Sequence, residues 1–110
     1  MRLETRRYLE DALAAAEEVL QIAIAGWQED RVLALAIERL LMNVGEALSR
    51  VRFSDPDLLN GVPDAFKVIG MRNVLAHGYD SLDPDRIRDA VEKNLPKLAR
   101  DIREVVGQTD

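Results

Sequence analysis

The chain has no cysteine, a single histidine and only 5% aromatic residues. Without cysteine there is no disulfide framework, no thiolate nucleophile and no zinc–thiolate site. One histidine excludes a His-rich metal cage built within one chain. With so few aromatics, the core must come from Leu, Ile, Val and Ala, which together with Glu, Lys and Arg favour helices over strands. No apolar run approaches the roughly 18 residues that a membrane span needs; the longest, Val32 to Ile37, is six residues. The opening residues Met1-Arg2-Leu3-Glu4-Thr5-Arg6-Arg7 have no apolar stretch behind them. They do not read as a signal peptide, so a cytoplasmic protein without a membrane role is expected.

What is present fits one small domain spanning residues 1–110, with 47% hydrophobic and 32% charged residues. A chain of this size buries about two thirds of its unfolded surface, which leaves little margin. A homo-oligomer would add buried area. The net charge of −5 argues against a broad, non-specific phosphate-binding face. The acidity is concentrated, however: residues 1–30 hold three basic and seven acidic groups. A local basic pocket elsewhere is compatible with that distribution.

Apolar residues recur at Leu9, Leu13, Ala16, Leu20, Ala23 and Trp27. Steps of four and three make this one stripe of an amphipathic helix, ended by Gly26 and Gln28-Glu29-Asp30. Asp30 can cap a second helix from Arg31 to about Val51. That helix is apolar on most sides, so it must be covered from more than one direction, within the bundle and at a subunit interface. Arg52 to Pro63 reads as a loop, with a turn of helix around Leu58 and Leu59. A third helix is predicted from Pro63 to about Ala76, followed by Gly78 as terminator. Asp83-Pro84 opens the last helix, which Pro96 must kink or split. The pattern predicts an all-α, up-and-down antiparallel bundle of four or five helices.

The most unusual stretch is Gly70-Met71-Arg72-Asn73-Val74-Leu75-Ala76-His77-Gly78-Tyr79. Asn73 and His77, four apart, share a helix face. Arg72 and His77, five apart, differ by about 140° around the axis. They converge only if the helix ends at His77 and the imidazole turns back, or if a second copy completes the site. Two readings fit these residues. In one, His77 meets terminal carbonyls, Arg72 pairs with Glu38 or Glu46, and Tyr79 packs in the core. In the other they do chemistry.

Arg72, four intervening residues, His77, Gly78 and Tyr79 resemble the RX4HXY motif of HEPN-superfamily ribonucleases, and more specifically the HepT-like toxin branch. Ile37-Glu38-Arg39 with Val44-Gly45-Glu46-Ala47 is similar to that branch's IER…GEA helix. Ile69-Gly70-Met71-Arg72-Asn73 and Asn94-Leu95-Pro96-Lys97-Leu98 resemble its flanking blocks, so the likeness covers roughly residues 31–105. The resemblance implies a HEPN-like bundle that dimerises and cuts RNA with neither metal nor cofactor. Two chains would supply two imidazoles, one as base for the ribose 2′-OH and one as acid for the leaving 5′-oxygen. Arg72 would hold the phosphate, and Asn73 would orient the phosphate or His77.

The resemblance further implies a partner, an MntA-like nucleotidyltransferase antitoxin that attaches AMP to Tyr79, placing a bulky anion two residues from His77. Glu38 and Glu46, eight residues apart, share roughly one face. Paired carboxylates can bind a metal, but with one His and no Cys the expected role is salt bridging to Arg72 or Arg39. Lys67, Lys93 and Lys97 are candidates for RNA phosphate contacts. The alternative function is a catalytically inactive, substrate-binding partner of a nucleotidyltransferase; an intact Arg-His motif favours the enzyme.

Overall fold

Helix α1 spans Leu3–Ile22 in this computed structural model, which describes residues 1–77 and 83–107. It buries Leu9, Ala12, Ala16 and Val19, one face of its heptad-like spacing. The helix stops earlier than the stripe drawn through Ala23 to Trp27. After Ile22 the chain turns, and Gly26 adopts a φ of 83°, a left-handed conformation accessible to glycine at little cost. Trp27 therefore reaches the core from a 3-10 turn, Trp27–Glu29, rather than from α1.

Helix α2 spans Arg31–Ser54. The Asp30 carboxylate caps it, accepting from the amides of Val32 at 3.0 Å and Leu33 at 3.1 Å. The helix runs three residues past its expected end because Arg52, Phe53 and Ser54 contain no breaker. Pro56 supplies one: the residue before a proline is pushed out of the helical region, and Asp55 sits at φ −156°, ψ 75°. The turn expected around Leu58 and Leu59 is a 3-10 turn, Pro56–Gly61, that buries Leu59.

Helix α3 spans Ala65–His77, with Pro63 in the turn before it rather than in its first position. Asp83 caps helix α4, Pro84–Asp89, by accepting from Asp85 N–H at 2.9 Å. Ala90–Asn94 then widens into a π turn whose Leu95 N–H bonds to Ala90 carbonyl, and helix α5 follows, Leu95–Gly107. This is the interruption that Pro96 requires. Its ring would collide with the carbonyl of residue 92 and it has no N–H, and the wider turn immediately before it accommodates both. Gly78, the predicted terminator, the loop residues 80–82, and residues 108–110 lie outside the described residues.

The order of packing follows from α2. Helix α1 covers one side of it and α3 another, while α5 closes on α1. Ile37, Leu41, Val44, Leu48 and Val51 of α2 are fully or almost fully buried and meet Leu95, Leu98 and Ile102 of α5 in one core. Thr5 and Ser54 exchange a hydroxyl hydrogen bond of 3.0 Å that ties the start of α1 to the end of α2. The protein is an all-α bundle of five helices with no strand among the described residues. None of these helices is long and apolar enough to cross a membrane. Val32 and Leu35 of α2 stay 75% and 51% exposed, so the bundle does not cover the whole apolar surface of α2.

Two substitutions separate the cap from the core. Asp30→Ala should lower the unfolding free energy by about 1 kcal/mol, and Leu48→Ala, at a site with no exposure, by about 2–5 kcal/mol. Urea unfolding followed by circular dichroism reads both.

Candidate active site

Helix α3 divides its residues between two faces. Ala65, Val68, Ile69, Met71 and Leu75 are buried, and Arg72 lies among them, turned toward α2. Phe66, Gly70, Asn73 and His77, at steps of four, three and four, form the exposed stripe on the other side.

Arg72 is held where α2 and α3 come closest. Gly45 of α2 packs directly on it: a Cβ at position 45 would collide with Arg72 Cβ and stand only 3.0 Å from the Val68 carbonyl. Only glycine permits that approach. The next residue, Glu46, pairs with the guanidinium, Oε2 to Nη2 at 2.7 Å. Nη1 of Arg72 donates to Asn73 Oδ1 at 2.9 Å. The second Glu46 oxygen faces Arg50 Nε at 3.4 Å, so one carboxylate bridges two arginines. Arg50 in turn lies over the Tyr8 ring, 5.7 Å from its centroid. The Tyr8 hydroxyl first, then Glu46, hold the Arg50 guanidinium above its ordinary pKa. A chain Arg72–Glu46–Arg50–Tyr8 thus runs from α3 across α2 to α1.

These contacts sort the sequence-identified residues. Arg72, Asn73 and Glu46 come together. His77 is exposed at the last turn of α3, and among the described residues no hydrogen bond or ion pair engages its imidazole. Arg72 faces α2 while His77 belongs to the exposed stripe, so one chain does not converge the two side chains. Asn73 bridges the faces, sharing the stripe with His77 while accepting from Arg72, rather than bonding His77 itself. Glu38 departs from expectation. Among the described residues it pairs with neither Arg72 nor Arg39, because Arg72 meets α2 at Gly45–Glu46, two helical turns (about 10 Å) away. Tyr79 lies outside the described residues. Among the described residues no group of three or more His, Asp or Glu could hold a metal ion.

Two participants escaped sequence reasoning. Arg50 is one helical turn from Glu46, a spacing that signals an ion pair but not its junction with Arg72. The packing role of Gly45 leaves no mark beyond a glycine inside a long helix, where it costs about 1 kcal/mol relative to alanine and therefore asks for a reason.

The fold and the motif face define an all-α bundle presenting a hydrogen-bonded Arg-Asn pair and an exposed histidine on one helix. The profile of a family described as Ribonuclease HepT-like matches residues 9–105, and the chain belongs to that HEPN-superfamily family. No match was found among curated proteins or among solved structures.

Gly45→Ala should part α2 from α3 at Arg72 and lower stability by about 1–3 kcal/mol through overpacking. Glu46→Gln keeps the shape and removes one exposed ion pair, at a cost of about 0–1 kcal/mol. Chemical denaturation of the two variants side by side checks that ordering.

Proposed function

We propose that the protein is a metal-independent endoribonuclease toxin of the HepT type, acting in the cytoplasm as a homodimer, with residues 1–110 as its functional domain. The observation that carries the reading is the anchoring of Arg72 by Gly45, Glu46 and Asn73 on the same helix as the exposed His77. Membership of a ribonuclease family supports it.

The chemistry follows from what each side chain offers. An RNA strand carries its own nucleophile, the ribose 2′-OH adjacent to the scissile phosphate. One His77 takes the 2′-OH proton as the O2′–P bond forms. The P–O5′ bond breaks, and the departing 5′-oxygen takes a proton from the His77 of a second copy. Arg72 stabilises the extra negative charge on the five-coordinate phosphorus. Its pair with Glu46, whose side chains are 32% and 43% exposed, is weak enough for phosphate to displace. The products are a 2′,3′-cyclic phosphate and a 5′-hydroxyl. A dimer answers the one-histidine problem, and the exposed Val32 and Leu35 offer apolar surface that a second copy can cover.

In this reading an MntA-like nucleotidyltransferase is the antitoxin of a type VII pair. It transfers AMP from ATP to the Tyr79 hydroxyl, releasing pyrophosphate. The added phosphate repels RNA and its nucleoside blocks the cleft.

His77→Ala and Arg72→Ala should each reduce RNA cleavage by at least about 100-fold with unchanged helicity by circular dichroism. Cleavage at the wild-type rate in either variant removes that residue from the mechanism. Light scattering at micromolar concentration should give the mass of two chains. Co-expression with the nucleotidyltransferase should add AMP masses in wild type and none in Tyr79→Phe, read by intact mass spectrometry.

A further inference from the structure

The exposed stripe of α3 continues away from His77 for three helical turns and ends in a hollow of its own. Phe66, about 16 Å along the axis from His77, is 51% exposed and stands at the rim of a cavity of about 450 Å³ between α3 and the α4–π-turn segment. Lys67, Gly70, Arg86, Asp89 and Asn94 line it too. The volume falls in the range of small-ligand sites.

Three features of this hollow serve no contact of the fold among the described residues. Gly70 sits mid-helix, yet a Cβ there would meet no atom within 4 Å. Its absence therefore leaves space open along the lining of the hollow rather than letting another element of the chain approach, at a helix-propensity cost of about 1 kcal/mol. Phe66 exposes half its surface although the core nearby is closed. Lys67 and Arg86 make no ion pair among the described residues, whereas Arg72, Arg50, Arg88 and Lys93 all do. Asp89, the one carboxylate lining the hollow among the described residues, faces Lys93 at 3.5 Å. The hollow thus carries two cations that pair with no carboxylate among the described residues, an aromatic ring and an amide, in a protein of net charge −5.

We propose that this hollow is a single-stranded RNA subsite. A base stacks on Phe66 in the space left open at Gly70, Lys67 and Arg86 contact the flanking phosphates, and Asn94 hydrogen-bonds the base or sugar edge. Stacking on an aromatic with cations beside it is how proteins hold unpaired strands without strict sequence demands. The strand then runs along the α3 stripe from Phe66 past Gly70 and Asn73 to His77. The subsite rests on the ribonuclease reading for its meaning, but its occupancy is a separate, measurable property. It favours single strands, because a base inside a duplex has no free face to offer Phe66.

The test uses the His77→Ala variant of this chain, altered at an exposed position so that it does not consume the probe. With its helicity checked by circular dichroism, it is titrated with a short fluorescein-labelled single-stranded oligoribonucleotide. Adding Phe66→Ala should weaken binding by about 5- to 100-fold, the loss expected for one stacked base. Phe66→Trp should restore it, with the indole fluorescence quenched on binding. Arg86→Ala should lower the slope of log affinity against log salt by about 0.7, one single-strand phosphate contact. The proposal is overturned if Phe66→Ala binds as tightly as its parent. It is equally overturned if Phe66→Ala turns a dimer into a monomer in light scattering, since the face then belongs to a second copy. Failure of the ribonuclease reading would look different: wild-type protein would bind the probe through Phe66 and leave it uncut.

Discussion

The placement of Arg72 depends on how closely α2 approaches α3 at Gly45. The missing Cβ lets the two helices meet where Arg72 leaves α3, and that contact fixes the base of a long, flexible side chain. The charged end is then aligned by Glu46 and Asn73. The division of labour follows from magnitudes. An exposed ion pair contributes about 0–1 kcal/mol, whereas a collision between closely packed helices costs about 1–3 kcal/mol. Backbone packing therefore holds the position and the ion pair holds only the orientation. A phosphate can take the guanidinium from Glu46 without disturbing the bundle.

The same helix carries its anchored guanidinium and its exposed polar groups on different faces. Its buried face carries Arg72 into the α2 contact, and its exposed face carries Phe66, Gly70, Asn73 and His77. Asn73 connects the two, since it shares the stripe with His77 while accepting from Arg72. A strand lying along the exposed face would meet an aromatic ring, then an open glycine, then an amide, then an imidazole. The net negative charge of the chain does not oppose this, because its excess lies mainly in residues 1–30 and not on α3 or α4.

Much of the fold was legible because helix periodicity and capping chemistry are local. Asp30 and Asp83 cap as their positions before Arg31 and Pro84 imply, and Pro96 interrupts the last helix as its missing N–H demands. The errors are local too. The α1 stripe runs on to Trp27 in sequence because a 3-10 turn returns that ring to the core, which periodicity cannot distinguish from another helical turn. In the candidate site, the sequence narrowed the ion-pair partner of Arg72 to Glu38 or Glu46 but could not choose between them. Glu38 and Glu46 occupy the same helix face, and only the crossing point at Gly45 decides that Glu46 reaches Arg72. A crossing point is a property of two helices together and leaves no periodic trace in either.

The most direct measurement is the chemistry of the cut ends, made on a defined single-stranded RNA with excess chelator present. An Arg72–His77 transesterification yields a 2′,3′-cyclic phosphate and a 5′-hydroxyl under those conditions, and a 2′-deoxy substitution at the cut position stops it. Cleavage that vanishes on chelation, or that survives the 2′-deoxy substitution and leaves a 5′-phosphate, would contradict the account.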